Sequence, residues 1–114
     1  MLDIEGLKRQ IPLTETAFLV LLAMFEKNHG YGVLQLVEEL TEGRIVFGPG
    51  TLYGAINNLS KKGWIELVSE DSETRRKDYV TTQAGKELVY LELDRMKKIV
   101  DEGYKIIRKE GSIR

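Results

Sequence analysis

The chain contains no cysteine, and its 114 residues include one histidine and two prolines. Without cysteine there are no disulfides, no thiolate zinc sites and no cysteine nucleophiles. A lone imidazole, His29, excludes every mechanism that needs two, and nothing around it has metal-ligand spacing. Long apolar runs are missing too. The longest uncharged apolar stretch, Thr16 to Phe25, has ten residues, against about 20 needed to span a bilayer. Asp3 and Glu5 stand where a signal peptide would be basic, with no apolar stretch behind them. A cytoplasmic chain with no membrane association is therefore expected. Nucleotide-binding glycine loops, nucleophile elbows and metal-ligand clusters are also absent from the sequence. The expectation is a protein that is not an enzyme and carries no cofactor or metal.

What is present describes a folded chain. Hydrophobic residues make up 42% and charged residues 31%, and this length buries roughly two-thirds of its unfolded surface in one domain. The net charge of −1 conceals an uneven distribution. Residues 1–82 hold 9 basic and 12 acidic side chains, whereas residues 83–114 hold 8 and 6. Between Phe47 and Trp64 the only charges are Lys61 and Lys62. A phosphate responds to charge within a Debye length of about 8 Å, so the local sign outweighs the total.

Helical and strand patterns follow one another in a definite order. Met1 to Ile11 suggests a short helix ended by Pro12. Thr14 then caps a helix whose residues Phe18, Leu19, Leu21, Leu22, Met24 and Phe25 are apolar on nearly every side, the mark of a central element. Asn28-His29-Gly30 is expected to stop it, with Gly30 at positive φ and His29 as a cap or packing residue. Tyr31 to Leu40 forms an amphipathic helix with Glu38 and Glu39 on its solvated face. Arg44 to Phe47 suggests a short strand, and Gly48-Pro49-Gly50 punctuates the chain. Thr51 to Lys62 is a third helix, ended by Gly63. Trp64 to Val68 and Arg75 to Thr82 pair as a hairpin around a polar turn. Trp64 is expected in the core. Thr82 caps a long last helix, about Gln83 to Lys109.

Three short helices followed by a hairpin is the order of a winged helix, in which the helix before the hairpin enters the major groove. The expected fold class is mainly α with a small β-hairpin, a winged helix-turn-helix plus a long C-terminal dimerisation helix. Residues 1–82 would bind DNA and residues 83–114 would pair two chains, all within one compact unit. On a helical wheel Leu52, Ala55, Ile56 and Leu59 share the buried face. Tyr53, Gly54, Asn57, Asn58, Lys61 and Lys62 lie outside it. That outer face offers amides, a phenol and ammonium groups, and Gly54 permits close backbone approach. Arg75, Arg76 and Lys77 supply phosphate contacts from the hairpin. The competing interpretation is a solvated helix and a charged tip that protects an edge strand, favoured by Asp71 and Glu73. An acid-free helix directly before a basic hairpin favours double-stranded DNA. A protein-interaction module without specific DNA binding is the alternative.

The last helix carries Val89, Leu93, Met96, Val100, Gly103 and Ile107 at intervals of 4, 3, 4, 3 and 4, a heptad seam. Its length exceeds what one three-helix core can cover. A homodimer through Val89, Leu93, Met96, Val100 and Ile107 is expected, with an apolar space between the two helices that Met96 and Tyr104 could line for a small effector.

From Leu13 to Gly85 the chain resembles the PadR-like transcriptional regulators. The similarity rests on Leu13-Thr14-Glu15, His29-Gly30-Tyr31-Gly32 and, most specifically, Phe47-Gly48-Pro49-Gly50-Thr51-Leu52-Tyr53-Gly54-Ala55-Ile56. Leu59, Gly63-Trp64-Ile65, Arg75-Arg76-Lys77-Asp78-Tyr79 and Thr82-Gln83-Ala84-Gly85 continue it. The resemblance implies a dimeric, ligand-responsive repressor, often of efflux or aromatic-detoxification genes, bound to an inverted-repeat operator. It also implies pairing through a single C-terminal helix and the N-terminal region, with Thr51 and Tyr53 as DNA-backbone contacts. Two departures stand out. Some drug-binding relatives carry a tryptophan in the C-terminal helix, whereas the only tryptophan here is Trp64. Thr81 replaces the usual leucine and is expected to weaken the packing of its strand.

Overall fold

The structure, a computed structural model, describes residues 2–111. The outer ends of the segments 1–11 and 83–114 lie outside the described residues. The elements are α1 (Ile4–Lys8), α2 (Glu15–Ala23), β1 (Asn28–His29), α3 (Gly30–Leu40), α4 (Pro49–Lys61), β2 (Ile65–Glu70), β3 (Lys77–Thr81) and α5 (Gln83–Lys109).

Thr14 caps α2 as its sequence position predicts, its hydroxyl oxygen accepting the Ala17 N–H at 3.1 Å. The helix is central: α3, α4 and α5 all pack against it. Leu19, Val20, Leu21, Ala23 and Met24 are buried there. Val33 and Val37 of α3, Leu52, Ile56 and Leu59 of α4, and Leu88 and Val89 of α5 close the core around them. Trp64 and Ile65 complete it at the start of β2. Gly63 ends α4 with φ +76°, the left-handed conformation that glycine adopts without steric cost.

Three expectations need correction. Asn28-His29-Gly30 does not stop α2, which ends at Ala23 with Met24 as its C-cap. Asn28 and His29 instead form β1, paired with Tyr79 and Asp78 of β3, so the sheet has three strands in the order β1-β3-β2. Gly30 opens α3 and is absent from the positive-φ positions. His29 is the N-cap of α3 by position, but its side chain makes no capping hydrogen bond. Arg44 to Phe47 is not a strand. The Thr41 hydroxyl oxygen accepts the Ile45 N–H at 3.1 Å and folds this segment back on the end of α3. Finally, α4 begins at Pro49 rather than Thr51, because proline at the first helical position has no N–H to leave unpaired.

Thr81 strengthens the junction it was expected to weaken. It is buried, its hydroxyl donates to the Leu21 carbonyl at 2.6 Å, and its N–H donates to the Met24 carbonyl at 2.8 Å. The threonine thereby satisfies a carbonyl in the last turn of α2 that a leucine would leave without this partner.

Glu92 of α5, which the sequence pattern does not single out, has 2% of its surface exposed. Its carboxylate accepts the Leu13 N–H at 2.8 Å and two bonds from Arg95, at 2.5 Å from Nε and 3.1 Å from Nη2. The Arg95 bonds hold its carboxyl below the ordinary range, helped by the Leu13 N–H and opposed by burial. A depressed folded pKa gives stability that is complete above the unfolded value and lost as pH falls through the folded one. Glu92→Ala should cost about 2–3 kcal/mol at neutral pH, because it leaves a half-buried N–H and a half-buried guanidinium without partners. The loss should shrink below about pH 4.3, near the unfolded glutamate value. Urea unfolding at pH 7 and pH 3.5 measures both, and a loss independent of pH would contradict the assignment.

Candidate nucleic-acid interface

The buried face of α4 falls where its periodicity places it, so the opposite face is fixed as well. Thr51, Tyr53, Gly54, Asn57, Asn58, Lys61 and Lys62 are all exposed. A Cβ on Gly54 would meet nothing within 4 Å, so the helix backbone lies open at this point. Tyr53 is exposed and its ring lies close to Gly30. A Cβ on Gly30 would come within 2.9 Å of its hydroxyl and 3.2 Å of its ring, so Gly30 is required for close contact with Tyr53 rather than for a turn. Lys62 leans away from the outer face, its ammonium 4.8 Å from the centre of the Trp64 ring, which leaves Lys61 as the cation at the end of that face.

The wing is built by β2 and β3, antiparallel, with an irregularity between Leu67 and Ser69. Asp71 shapes its tip. Its carboxylate accepts the N–H groups of Glu73 at 2.8 Å and Thr74 at 3.3 Å, while its own N–H donates to the Arg76 carbonyl at 2.9 Å. These bonds, that from Glu73 foremost, hold the Asp71 carboxyl below its ordinary range. An acid that argued against a phosphate-binding tip in the sequence is therefore engaged in forming the turn. Arg75 adopts φ +62°, a conformation costing a side-chain-bearing residue roughly 1–2 kcal/mol.

Between α4 and the wing lies a groove of about 520 Å³ whose lining includes Tyr31, Tyr53, Asn57, Arg75, Arg76 and Lys77. None of its lining residues is acidic. The groove thus brings Tyr53 and Asn57 of α4 together with the three wing cations, whereas Thr51, Gly54, Asn58, Lys61 and Lys62 do not line it. Sequence reading missed Tyr31 as a lining residue. Its place in the turn after His29 gives no sign that α3 reaches the groove.

On α5 the predicted seam divides in two. Val89 has 1% of its surface exposed and belongs to the domain core, which corrects the expectation that it faces a second chain. The last fully buried side chain of α5 is Glu92. Beyond it Leu93, Ile99, Val100, Tyr104 and Ile106 are exposed, while Met96 and Ile107 are half-buried.

A helical core, an acid-free exposed helix face and a hairpin that carries Arg75, Arg76 and Lys77 beside it are the features of a winged-helix DNA-binding protein. The family model described as "Transcriptional regulator PadR-like family" matches residues 18–91, more than half of the sequence. The chain belongs to this family of transcriptional regulators.

Several solved structures have the same fold. A transcriptional regulator from Clostridium thermocellum is 23% identical with a TM-score of 0.61, over 83% of this chain and 90% of that one. RosR of H. salinarum is 20% identical with a TM-score of 0.67, over 90% and 97%. A PadR family transcriptional regulator from Eggerthella lenta is 24% identical with a TM-score of 0.62, over 91% and 87%. A curated relative, an uncharacterised 37.1 kDa protein in transposon TN4556 of Streptomyces fradiae, is 32% identical over 71 residues. That match takes in 62% of this chain but only 19% of the relative's length. Among the described residues no helix is long and apolar enough to cross a membrane.

Proposed function

We propose that the chain is a cytoplasmic, sequence-specific repressor that binds an inverted-repeat operator as a homodimer and is released by a small hydrophobic or aromatic effector. The observation that carries the DNA-binding part is the acid-free groove between α4 and the wing. Residues 1–82 read the DNA and residues 83–114 join the two copies. Thr51, Tyr53, Gly54, Asn57, Asn58 and Lys61 act from α4, with Lys62 reaching DNA only by leaving the Trp64 ring, and Arg75, Arg76 and Lys77 act from the wing. Leu93, Met96, Val100 and Ile107 pair the copies. The effector would sit between the paired helices, where Tyr104 offers a hydroxyl and Met96 adapts its shape. It releases DNA by favouring a different spacing of the two wings.

Selection of duplexes from a randomised library, followed by gel shifts at several salt concentrations, tests the DNA part. Replacing Arg75, Arg76 and Lys77 together by alanine should weaken binding to all sequences and flatten the salt slope by about 2–3 per protomer. Lys61→Ala should lower operator affinity and leave the thermal midpoint unchanged, because the side chain lies off the buried face. Unaltered affinity in both variants would remove DNA from the wing and from the outer face of α4. The effector part is tested by titrating aromatic and cationic drugs into the protein–duplex complex, where release of DNA is expected and a flat response to all of them counts against it.

A further inference from the structure

A carboxylate beside a groove for a polyanion opposes binding, and Asp78 is such a group. It is 8% exposed and lies on β3 opposite His29 of β1, behind the groove that His29, Arg76 and Lys77 help to line. Its Oδ2 accepts the Ser69 hydroxyl of β2 at 2.9 Å. Its Oδ1 stands 3.4 Å from Arg76 Nε and 3.8 Å from His29 Nδ1. One buried side chain thus ties together β1, β2 and the returning side of the wing.

Arg76 is the wing cation that this arrangement singles out. Among the described residues it has an ion-pair partner, whereas Arg75 and Lys77 do not figure in any ion pair. The contact uses Nε and leaves both Nη groups for an acceptor on DNA. More than half of the Arg76 side chain is exposed. An unanchored arginine at such a place samples many rotamers and must be ordered on binding, whereas an anchored one has given up that freedom beforehand.

We propose that Asp78 is a positioning residue for DNA recognition, aiming the Arg76 guanidinium across the groove toward α4 and so favouring sequence discrimination over raw affinity. The inference rests on the sequence-specific reading above. Ser69 holds the carboxylate by its other oxygen, so Asp78 presents Oδ1 to Arg76 from a fixed place in the sheet.

The test uses the full chain and two labelled duplexes of equal length, one enriched by the wild-type protein from a randomised library and one scrambled. Asp78→Asn keeps the size and an acceptor for Ser69. It should bind the enriched duplex about threefold to tenfold less tightly, the range expected for coupled neighbours. Affinity for the scrambled duplex should hold or rise, since a negative charge has been removed from behind the groove. In an Arg76→Ala background the same substitution should leave the ratio of the two affinities unchanged. A loss equal on both duplexes, or a fall in the ratio that persists without Arg76, overturns the proposal. If thermal melting shows that Asp78→Asn does not fold, Arg76→Lys decides instead. It keeps the charge but replaces the planar guanidinium fork with a point donor that cannot hold Asp78 through one edge and present two further N–H groups in a fixed direction, so a ratio equal to wild type overturns the proposal and a reduced ratio supports it. A wild-type protein that enriches no sequence overturns the sequence-specific reading and this inference with it, whereas an enriched sequence with an unchanged ratio in Asp78→Asn overturns only the role of Asp78.

Discussion

Gly85→Ala should destabilise the fold by about 3 kcal/mol or more, although it adds a single methyl group to a helix. A Cβ at this position would stand 2.2 Å from the Trp64 carbonyl oxygen and 2.7 Å from Thr81 Cγ2. Neither atom can yield cheaply. The Trp64 carbonyl accepts the Thr82 N–H at 3.0 Å, and Thr81 is held to the end of α2 by its hydroxyl and its N–H. Moving α5 outward is no easier. Thr82 donates its hydroxyl to the Gly63 carbonyl at 2.8 Å and accepts the Gly85 N–H at 3.2 Å, so the first turn of α5 is fastened to the α4–β2 junction. Leu88 and Val89 would leave the core with it.

Gly54→Ala and Gly103→Ala are the matched controls, since a Cβ at either meets nothing within 4 Å. Both lie inside helices, where alanine is favoured over glycine by roughly 0.5–1 kcal/mol, so both should raise stability. Gly54→Ala should do so while reducing DNA affinity, because its methyl occupies the open point of the α4 face. Chemical denaturation followed by circular dichroism reads all three. A Gly85→Ala midpoint equal to wild type would show that the junction is looser than its hydrogen bonds imply.

Features with local chemical causes were legible in the sequence. Thr14 and Thr82 are capping residues, Gly63 ends α4 at positive φ, and the buried face of α4 follows from the spacing of Leu52, Ile56 and Leu59. Contacts made across the fold were not. Asn28 and His29 have no strand character of their own, and they pair because β3 offers them an edge. Gly30 reads as a helix stop after Asn28-His29, whereas its small size is needed by Tyr53, more than twenty residues later. Glu92 looks like one more charge on a polar helix face until Leu13, 79 residues earlier, donates its N–H to it. In the wing the cations were visible as a run, but the division of labour between Arg76, held by Asp78, and its neighbours depends on side-chain directions that spacing does not encode. The heptad seam shows the same limit. Periodicity tells that Val89 and Val100 share a face, while only the fold tells that the domain core ends between them.

That boundary gives the second large effect. Val100→Asp should convert the protein from dimer to monomer and lower operator affinity by about 10²–10⁴-fold, while the winged-helix domain stays folded. The helix has 27 residues and so extends about 40 Å, and its outer part has Leu93, Ile99, Val100, Tyr104 and Ile106 exposed at 46–62%. Val100 itself is 54% exposed and outside the domain core, so the substitution removes no intrachain packing of consequence. In a two-fold pairing it falls in the seam. Each chain would then bury a carboxylate without a partner, close to its symmetric counterpart, which disfavours association twice over. Operator affinity falls with the dimer because two half-sites about 34–36 Å apart are held by two recognition helices only when the chains are joined. Val89→Asp gives the contrasting result, loss of the fold itself, since Val89 lies in the core. Lys98→Asp should change neither assembly nor fold, as Lys98 is paired with Asp94 at 3.2 Å on the solvated face. Light scattering at micromolar concentration, with thermal melting of the same samples, separates these cases. A wild-type monomer, or a Val100→Asp variant that remains dimeric, would remove the seam as the basis of assembly.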